Sequence, residues 1–224
     1  MKSSLHDLLL NGAAEIGVEL SERQIDSLLL LMLQLKKWNR KFNLTAITKE
    51  RDIVVKHFLD SLTVSQRIAA GCRVLDLGSG AGFPALPLAL VRPDLIVTSV
   101  DAVEKKIFFQ RHGARLLELE RFTTLHARGE ALAVSHTGRF DVVISRAFSS
   151  LLKLVTLAQP LLAPGGVIIA MKGKSGGDEA KEATPFLEER GVLLREVVRL
   201  RLPVSADERT LVILGEGRSE KAIA

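Results

Sequence analysis

The sequence predicts an α/β fold in which an N-terminal helical extension precedes a seven-stranded, mostly parallel sheet. Three observations predict it. Apolar residues recur at helical spacing in the first third of the chain, and from Arg73 onward short β-branched runs alternate with helical stretches. A glycine turn, "DLGSGAG", joins the first of these runs to a helix. We therefore divide the chain into a helical extension, residues 1–70, and a sheet domain, residues 71–224.

The extension is predicted to contain three helices, at Leu5–Leu10, from Ser21 through Trp38, and at Ile53–Ala69. Ser21 followed by Gln24 forms a capping box, which marks the start of the second helix. The apolar run Leu28–Leu33 is far shorter than the ~20 residues that span a membrane. We therefore interpret it as a buried helix face of a soluble protein.

The sheet domain contains seven strand candidates: Val74–Leu77, Ile96–Val100, Thr123–His126, Val142–Ser145, Val167–Met171, Val197–Leu202 and Thr210–Leu214. Helical stretches between the early strands predict βαβ crossovers and a parallel sheet covered on both faces. The segment between the last two candidates, Pro203–Arg209, is too short for a crossover helix. These two strands are therefore predicted to pair antiparallel.

The composition is that of an ordinary globular protein with a mild basic excess. Charged residues make up 25% and hydrophobic residues 47%, and the net charge is +5. This charge favours an anionic partner without identifying one. The single cysteine, Cys72, excludes a disulfide framework and a cysteine-based zinc cluster. The N-terminal segment does not match a secretory signal. We therefore expect a cytoplasmic protein without a metal site or membrane contact.

The glycine turn does not have the spacing of the two commonest nucleotide-binding loops. A dinucleotide fingerprint, G-x-G-x-x-G, requires glycine where this chain has Phe83, and its third glycine, Gly82, comes one residue early. A Walker A loop ending in the "GKS" of Gly173–Ser175 would require glycine where this chain has Ile168. The spacing argues against both ligand classes.

Two acids follow neighbouring strands of the predicted sheet. Asp76 ends the first strand, and Asp101 ends the second, 23 residues after Gly78. The carboxyl ends of parallel strands form the edge at which open α/β sheets bind ligands. One carboxylate there suits an amino group and repels a pyrophosphate, and the other suits ribose hydroxyls. A ligand with an amino group, a ribose and no phosphate fits S-adenosylmethionine, which would leave S-adenosylhomocysteine as product. The alternative is a turn that packs a helix on a strand, with Asp101 as a solvated strand end.

Several longer stretches resemble one family. "VLDLGSGAGFP", "FDVVISRAF", "LLAPGGVIIAMKG", "WNRKFNLTAI" and "HFLDSL" are similar to the bacterial RsmG (glucose-inhibited division protein B) family, over about Leu20 to Leu214. The glycine loop joined to "WNRKFNLTAI" is specific to this family, whereas "DLGSGAG" alone marks the class I methyltransferase superfamily. The resemblance implies a class I, Rossmann-like S-adenosylmethionine-dependent methyltransferase fold. It also implies methylation of N7 of a guanine in 16S ribosomal RNA, in the small subunit or its precursor.

The resemblance also implies cofactor contacts at particular positions. They fall on Gly78 and Phe83 in the loop, on Gly129 and Glu130 after the third strand, and on Arg146 after the fourth. The family often has a second glycine after its proline, where this chain has Ala85, a departure that leaves the site intact. The complete predicted cofactor site consists of Asp76, Gly78, Gly80, Gly82, Phe83, Asp101, Ala102, Gly129, Glu130 and Arg146.

The residues after the fourth strand agree with a guanine N7 acceptor. Enzymes that methylate exocyclic amines usually carry [DNS]-P-P-[YFW] there, whereas this chain has Ser145-Arg146-Ala147-Phe148. Methylation of pyrimidine carbon 5 requires a cysteine nucleophile, and Cys72 precedes the first strand, away from the predicted edge. Guanine N7 carries its own lone pair, so no general base is required and alignment is the main task.

Arg146 is the predicted catalytic residue, with two possible roles at this edge. Its planar fork suits either the cofactor carboxylate or O6 of the guanine, which would orient N7. The alternative is an ordinary salt bridge at the surface.

Basic residues predict an RNA-binding surface. Lys36, Lys37, Arg40 and Lys41 interleave with Trp38 and Phe42, so the cations would neutralise phosphates while an aromatic ring stacks on a base. Alternatively, the aromatic residues pack the helix against the domain and the charges face solvent. His57 either faces the acceptor pocket or caps local structure, and Lys172 ends the fifth strand, where it would meet a phosphate.

Two other functions remain open at this point. In a small-molecule methyltransferase, the N-terminal helices would form a lid over a closed pocket. In a non-catalytic ribosome-assembly protein, the fold would serve as an RNA-binding scaffold. In each case we expect a monomer.

Overall fold

The computed structural model describes residues 2–146, 148 and 150–216. Its α-helices are α1 (Lys2–Glu15), α2 (Glu22–Phe42), α3 (Glu50–Ile53), α4 (Asp60–Leu62), α5 (Ala85–Val91), α6 (Glu104–Leu116), α7 (Gly129–Ser135), α8 (Leu151–Ala158) and α9 (Gly176–Glu189). A π-helical turn, Val54–Leu59, joins α3 to α4, and short 3-10 turns occur at Ser65–Arg67 and Gln159–Leu161. The strands are β1 (Arg73–Leu77), β2 (Ile96–Asp101), β3 (Phe122–His126), β4 (Phe140–Ser145), β5 (Leu162–Gly173), β6 (Val192–Arg201) and β7 (Glu208–Glu216).

The strands form one sheet in the order β3-β2-β1-β4-β5-β7-β6. The first five strands are parallel, whereas β7 lies between β5 and β6 and is antiparallel to both. The predicted antiparallel pairing of the last two strands is therefore confirmed. The strand β6 begins at Val192, earlier than the predicted Val197, because its whole length pairs with β7 from Val192–Glu216 to Arg201–Glu208. The tail after Glu216 lies outside the described residues.

The helical extension contains the first two predicted helices, each longer than predicted, and it departs from the prediction at the third. Ser21 and Gln24 form the expected capping box at the start of α2. The predicted helix Ile53–Ala69 instead consists of α3, the π turn and α4, and it ends at Leu62. The side chains of Ser61 and Thr63 hydrogen-bond to the carbonyl oxygens of His57 and Asp60. Such side-chain bonds compete with the regular helical pattern and mark its end.

The extension and the sheet domain share a hydrophobic core. Phe58 of the π turn packs in one buried cluster with Phe83 of the glycine loop and Phe109 of α6. A second cluster covers one face of the sheet beneath α8 and α9, and a third covers the opposite face with α5. The N-terminal helices therefore sit directly against the loop that ends β1, and they form one wall of the candidate site.

No described helix is both long enough and apolar enough to cross a membrane. No cluster of three or more His, Cys, Asp or Glu side chains in the described part of the chain is arranged to hold a metal ion.

Candidate active site

The glycine loop leaves β1 in a conformation that requires its glycines. The backbone φ angles of Gly78, Gly80 and Gly82 are 75°, 61° and 92°, in the left-handed region that side chains with a Cβ rarely adopt. The amides of Gly78 and Ser79 both donate to the carbonyl oxygen of Val100, at 2.9 Å each. The loop is thereby fixed to the end of β2.

Asp101, at the end of β2, organises the same loop. Its Oδ2 accepts the amide of Gly80 at 2.8 Å, and its Oδ1 accepts the amide of Val103 at 2.9 Å. Each carboxylate oxygen has a second lone pair, so both remain able to accept a bond from a ribose hydroxyl. Gln110 of α6 supports the loop from behind, where it donates to Gly80 O at 2.7 Å.

Asp76 lies beneath the loop, fully buried. Its Oδ2 accepts the amide of Ala85 at 3.0 Å, and its Oδ1 has no hydrogen-bond partner among the described residues. Burial raises the pKa of this carboxyl from 3.8 to about 7, and the bond from Ala85 opposes the rise. A buried oxygen without a donor is a position at which a ligand amino group would be stabilised.

A small cavity of about 150 Å³ opens above the loop. Its walls come from the glycine loop, from the segment that follows α2, from the π turn and from the residue after β4. The lining residues are Leu44, Thr45, His57, Gly78, Ser79, Gly80, Ala81, Phe83 and Arg146. The fold therefore brings together the loop, His57 and Arg146, which are widely separated in the sequence.

His57 forms part of the cavity wall as a neutral imidazole. Its ring stacks on Phe83, with centroids 4.3 Å apart and planes 7° from parallel. Burial, reinforced by the charge of Arg146, lowers its pKa to about 3. Nδ1 lies 3.1 Å from an Arg146 nitrogen, and Nε2 lies 2.9 Å from Thr45 Oγ1. Because arginine can only donate, Nδ1 accepts and Nε2–H donates to Thr45.

Arg146 is held by the extension through three hydrogen bonds. Nη1 donates to Lys56 O at 2.9 Å and to Asp60 Oδ2 at 3.2 Å, and Nη2 donates to His57. Asp60 is buried, and its other oxygen accepts from Arg209 of β7 at 3.0 Å. The alternative prediction for Arg146 was a salt bridge at the surface. The arginine does make an ion pair, but with the buried Asp60 and at the wall of the cavity. Its Nε–H and one Nη2–H have no partner among the described residues.

Three other predicted cofactor residues follow β2 and β3 and do not line the cavity. Ala102 is exposed, and its carbonyl oxygen lies 3.0 Å from His126 Nε2. Gly129 begins α7 against Leu77, and Glu130 beside it is exposed. Their contacts with the cofactor stay predictions.

The predicted RNA-binding residues differ in their surroundings. Lys36 is half-buried and pairs with Glu50 at 2.5 Å, whereas Lys37, Arg40 and Lys41 are exposed. Lys172 is nearly buried and joins β5 to α9 through an ion pair with Glu179 at 3.0 Å. Its contact with a phosphate therefore has no structural support beyond its position.

Four polar residues at the site were missed by sequence reasoning: Asn39, Thr45, Asp60 and Gln110. The first three lie inside "WNRKFNLTAI" and "HFLDSL", stretches singled out for family resemblance and not for chemistry. Gln110 is a buried polar residue next to Phe109 on α6, and nothing in the local pattern distinguishes it from a solvent-facing glutamine.

The comparisons with known proteins agree with this geometry. The sequence model of the family described as rRNA small subunit methyltransferase G (GidB) matches residues 24–210. The chain belongs to the rRNA small subunit methyltransferase G family. A Geobacter metallireducens relative named Ribosomal RNA small subunit methyltransferase G is 51% identical over 215 residues, covering 96% of this chain and 98% of its own. A Deinococcus radiodurans relative of the same name is 42% identical, covering 96% of this chain and 87% of its own.

Solved structures show where this family belongs by fold. M. jannaschii TYW2, solved in complex with AdoMet, has a TM-score of 0.57 at 15% identity, covering 69% of this chain and 73% of its own. A precorrin-6y C5,15-methyltransferase from Geobacter metallireducens has a TM-score of 0.54 at 15% identity, covering 79% of this chain and 92% of its own. These similarities confirm the predicted methyltransferase fold.

Proposed function

We propose that this protein transfers a methyl group from S-adenosylmethionine to N7 of a guanine in 16S ribosomal RNA. The observation that carries the proposal is the cavity that joins the glycine loop, His57 and Arg146 in a member of the rRNA small subunit methyltransferase G family. The substrate is the small ribosomal subunit or its precursor. We further propose that the protein acts in the cytoplasm as a monomer.

The residues present fit S-adenosylmethionine. Asp76 Oδ1, which has no partner among the described residues, suits its amino group, and the spare lone pairs of Asp101 suit the ribose hydroxyls. The Nε–H and Nη2–H of Arg146 that no described residue accepts suit its carboxylate. When bound, the cofactor supplies an electrophilic methyl group on a positively charged sulfur. Ala102, Gly129 and Glu130 lie beyond the ends of β2 and β3, and we assign them to the adenosine end.

The protein needs no general base for this reaction. Guanine N7 attacks through its own lone pair and loses no proton. His57 would be a poor base in any case, because its accepting nitrogen is bonded to Arg146 and its pKa is depressed to about 3. The residues around the cavity contribute by fixing the two reactants in line and by excluding water.

Mapping of modified nucleotides in cells tests this function. We expect ribosomal RNA from a strain lacking this gene to lose one N7-methylguanosine from 16S RNA, and a plasmid copy to restore it. An unchanged modification pattern would reject the proposal. It would leave the small-molecule methyltransferase and the non-catalytic assembly factor as the remaining functions.

A further inference from the structure

A groove of about 930 Å³ runs beside the candidate active site, between α2, α6 and the edge strand β3. Its lining is mainly aromatic and charged. The residues are Trp38, Phe42, Phe108, Arg111, Ala114, Arg115, Glu118, Leu119, Glu120, Phe122 and Thr124. We propose that this aromatic groove binds unstacked bases of single-stranded RNA next to the methylated guanine, an inference that rests on the proposed function.

Two phenylalanine side chains in the groove are exposed. Phe42, the last residue of α2, is 41% exposed, and Phe108 of α6 is 48% exposed. Trp38 behind them is packed, with its ring stacked on His112 at 5.2 Å and edge-on to Phe109 at 5.7 Å. Trp38 therefore anchors α2 to α6, while the two phenylalanine rings remain accessible to a ligand.

Arg111 supplies a positioned cation in the same groove. Its Nε donates to Thr124 Oγ1 at 3.1 Å, and its guanidinium carbon lies 6.0 Å from the centre of the Phe108 ring. Its terminal N–H groups have no hydrogen-bond partner in the described part of the chain. Aromatic rings and arginine planes that stack on splayed bases, with cations near the phosphates, are the usual means of binding single-stranded RNA.

The two helices that form the groove also carry residues next in sequence to the active site. One residue, Asn43, separates Phe42 from Leu44, and Leu44 and Thr45 both line the cavity. On α6, Gln110 bonds the glycine loop, and its neighbour Arg111 faces the groove. The end of the groove at Phe42 and Arg111 is therefore the one nearer the cavity, and RNA whose guanine enters the cavity would reach the groove from that end.

Basic residues favour RNA at the end of the groove nearer the cavity. Exposed Lys41 adjoins Phe42 and Arg111 lies close to Phe108, whereas Glu118 and Glu120 follow the end of α6, away from the cavity. Glu118 is paired with Arg23 at 3.0 Å. Arg115 lines the groove beside Glu118, so the far end carries little net negative charge. A backbone carrying negative charge is favoured most at the end with Lys41 and Arg111.

Binding of two short fluorescent probes by fluorescence anisotropy tests the proposal. The probes are oligoadenylate and an abasic ribose-phosphate strand of the same length. Loss of a stacking ring weakens base binding by roughly 5- to 100-fold. We expect Phe42→Ala and Phe108→Ala each to weaken oligoadenylate binding within this range, with no change in binding of the abasic strand or of S-adenosylmethionine.

Two further variants make the result specific. Leu33→Ala removes an exposed apolar side chain, 52% exposed, from α2 outside the groove, and we expect it to leave all three affinities unchanged. Phe108→Leu keeps apolar area but lacks a π face, so it should weaken oligoadenylate binding as Phe108→Ala does. Retained affinity in Phe108→Leu would overturn the proposal, because stacking on an aromatic face would then not be required.

Equal losses on both probes, or no loss on either, would also overturn it. The proposed function is judged separately, by methylation of 16S RNA with the wild-type protein. If methylation fails while the aromatic rings still contribute to oligoadenylate binding, the proposed function is rejected and base binding in the groove is retained. If methylation succeeds while the rings make no contribution, only base binding in the groove is rejected.

Discussion

At the scale of single residues, Arg146 links the N-terminal extension to the cofactor edge of the sheet. Its guanidinium simultaneously contacts the backbone of Lys56, the carboxylate of Asp60 and the ring of His57. A lysine at this position has one nitrogen on a flexible stem and does not reproduce this fixed geometry. The bidentate contact that we propose with the cofactor carboxylate depends on the same planar fork.

Replacement of this residue separates a cofactor role from an acceptor role. We expect Arg146→Lys to raise the dissociation constant of S-adenosylmethionine about 10- to 100-fold, because charged hydrogen bonds contribute about 1.5–3 kcal/mol each. Saturating cofactor should restore much of the rate, as calorimetry and methyl-transfer kinetics will show. Arg190→Lys, which alters a contact with Phe186 on α9, serves as control. Normal affinity together with normal turnover would remove Arg146 from the site.

Asp76 gives the stability of the protein a pH dependence of known sign. Its pKa rises from 3.8 to about 7 on folding, so between these values the folded protein holds a proton that the unfolded chain has lost. Stability therefore falls as the pH rises from about 4 to 7, by up to roughly 2–4 kcal/mol, and this contribution is constant above 7. We expect Asp76→Asn to flatten this part of the curve in denaturant titrations.

Asp94 provides the matched control for that experiment. Its pKa is lowered to about 2, chiefly by its hydrogen bond from Arg92, so its proton linkage acts below about pH 4. Asp94→Asn should therefore leave the slope between pH 4 and 7 unchanged. Identical slopes for wild type and Asp76→Asn in this window would contradict the assignment.

At the scale of elements, the end of α2 positions the upper wall of the cavity. The side chain of Asn39 accepts the amides of Leu44 and Thr45 at 2.6 and 2.9 Å, and it donates to Thr45 O at 3.0 Å. Thr45 in turn accepts from His57. The side chain of Asn39 therefore fixes Leu44 and Thr45, which line the cavity, relative to α2.

Removal of that side chain should affect both stability and binding. We expect Asn39→Ala to lower the free energy of unfolding by about 1–3 kcal/mol, because backbone groups lose their partners, and to weaken cofactor binding severalfold. Asn43→Gly is the control, since Asn43 ends α2 in the left-handed region with φ 48°, where glycine is favourable. If Asn39→Ala binds cofactor as tightly as Asn43→Gly does, the loop needs no such support.

The sequence was sufficient to predict that Asp76, Asp101 and Arg146 lie at one edge of the sheet. It was not sufficient to predict which residues of the N-terminal extension line the site. Asp76, Asp101 and Arg146 each follow an apolar run, so the parallel-sheet rule brought them to one edge. The path of residues 39–60 depends on tertiary contacts, such as His57 on Phe83 and Asp60 between two arginines. No local periodicity encodes such contacts, and the predicted uninterrupted helix Ile53–Ala69 missed the π turn for the same reason.

At the scale of the whole molecule, exposed positive charge on α2 extends the proposed RNA-binding surface beyond the cavity. Lys37, Arg40 and Lys41 are exposed, whereas Lys36 is paired with Glu50. Replacing the three exposed residues by glutamine should weaken RNA binding and reduce the slope of log affinity against log salt by up to about 2. Titrations across a range of salt concentrations measure this slope, with Lys36→Gln as control. An unchanged slope would show that these charges are only a solvated face.

Methylation of N7 of a guanine in 16S ribosomal RNA by this protein can be measured with purified components. The most direct test combines purified protein, S-adenosylmethionine with a labelled methyl group, and small subunits from a strain that lacks the modification. After digestion to nucleosides and mass analysis, we expect the label in N7-methylguanosine from 16S RNA, at about one equivalent per subunit. No transfer to either the subunit or its precursor, or label on adenine, on cytosine or on another guanine atom, would contradict the account.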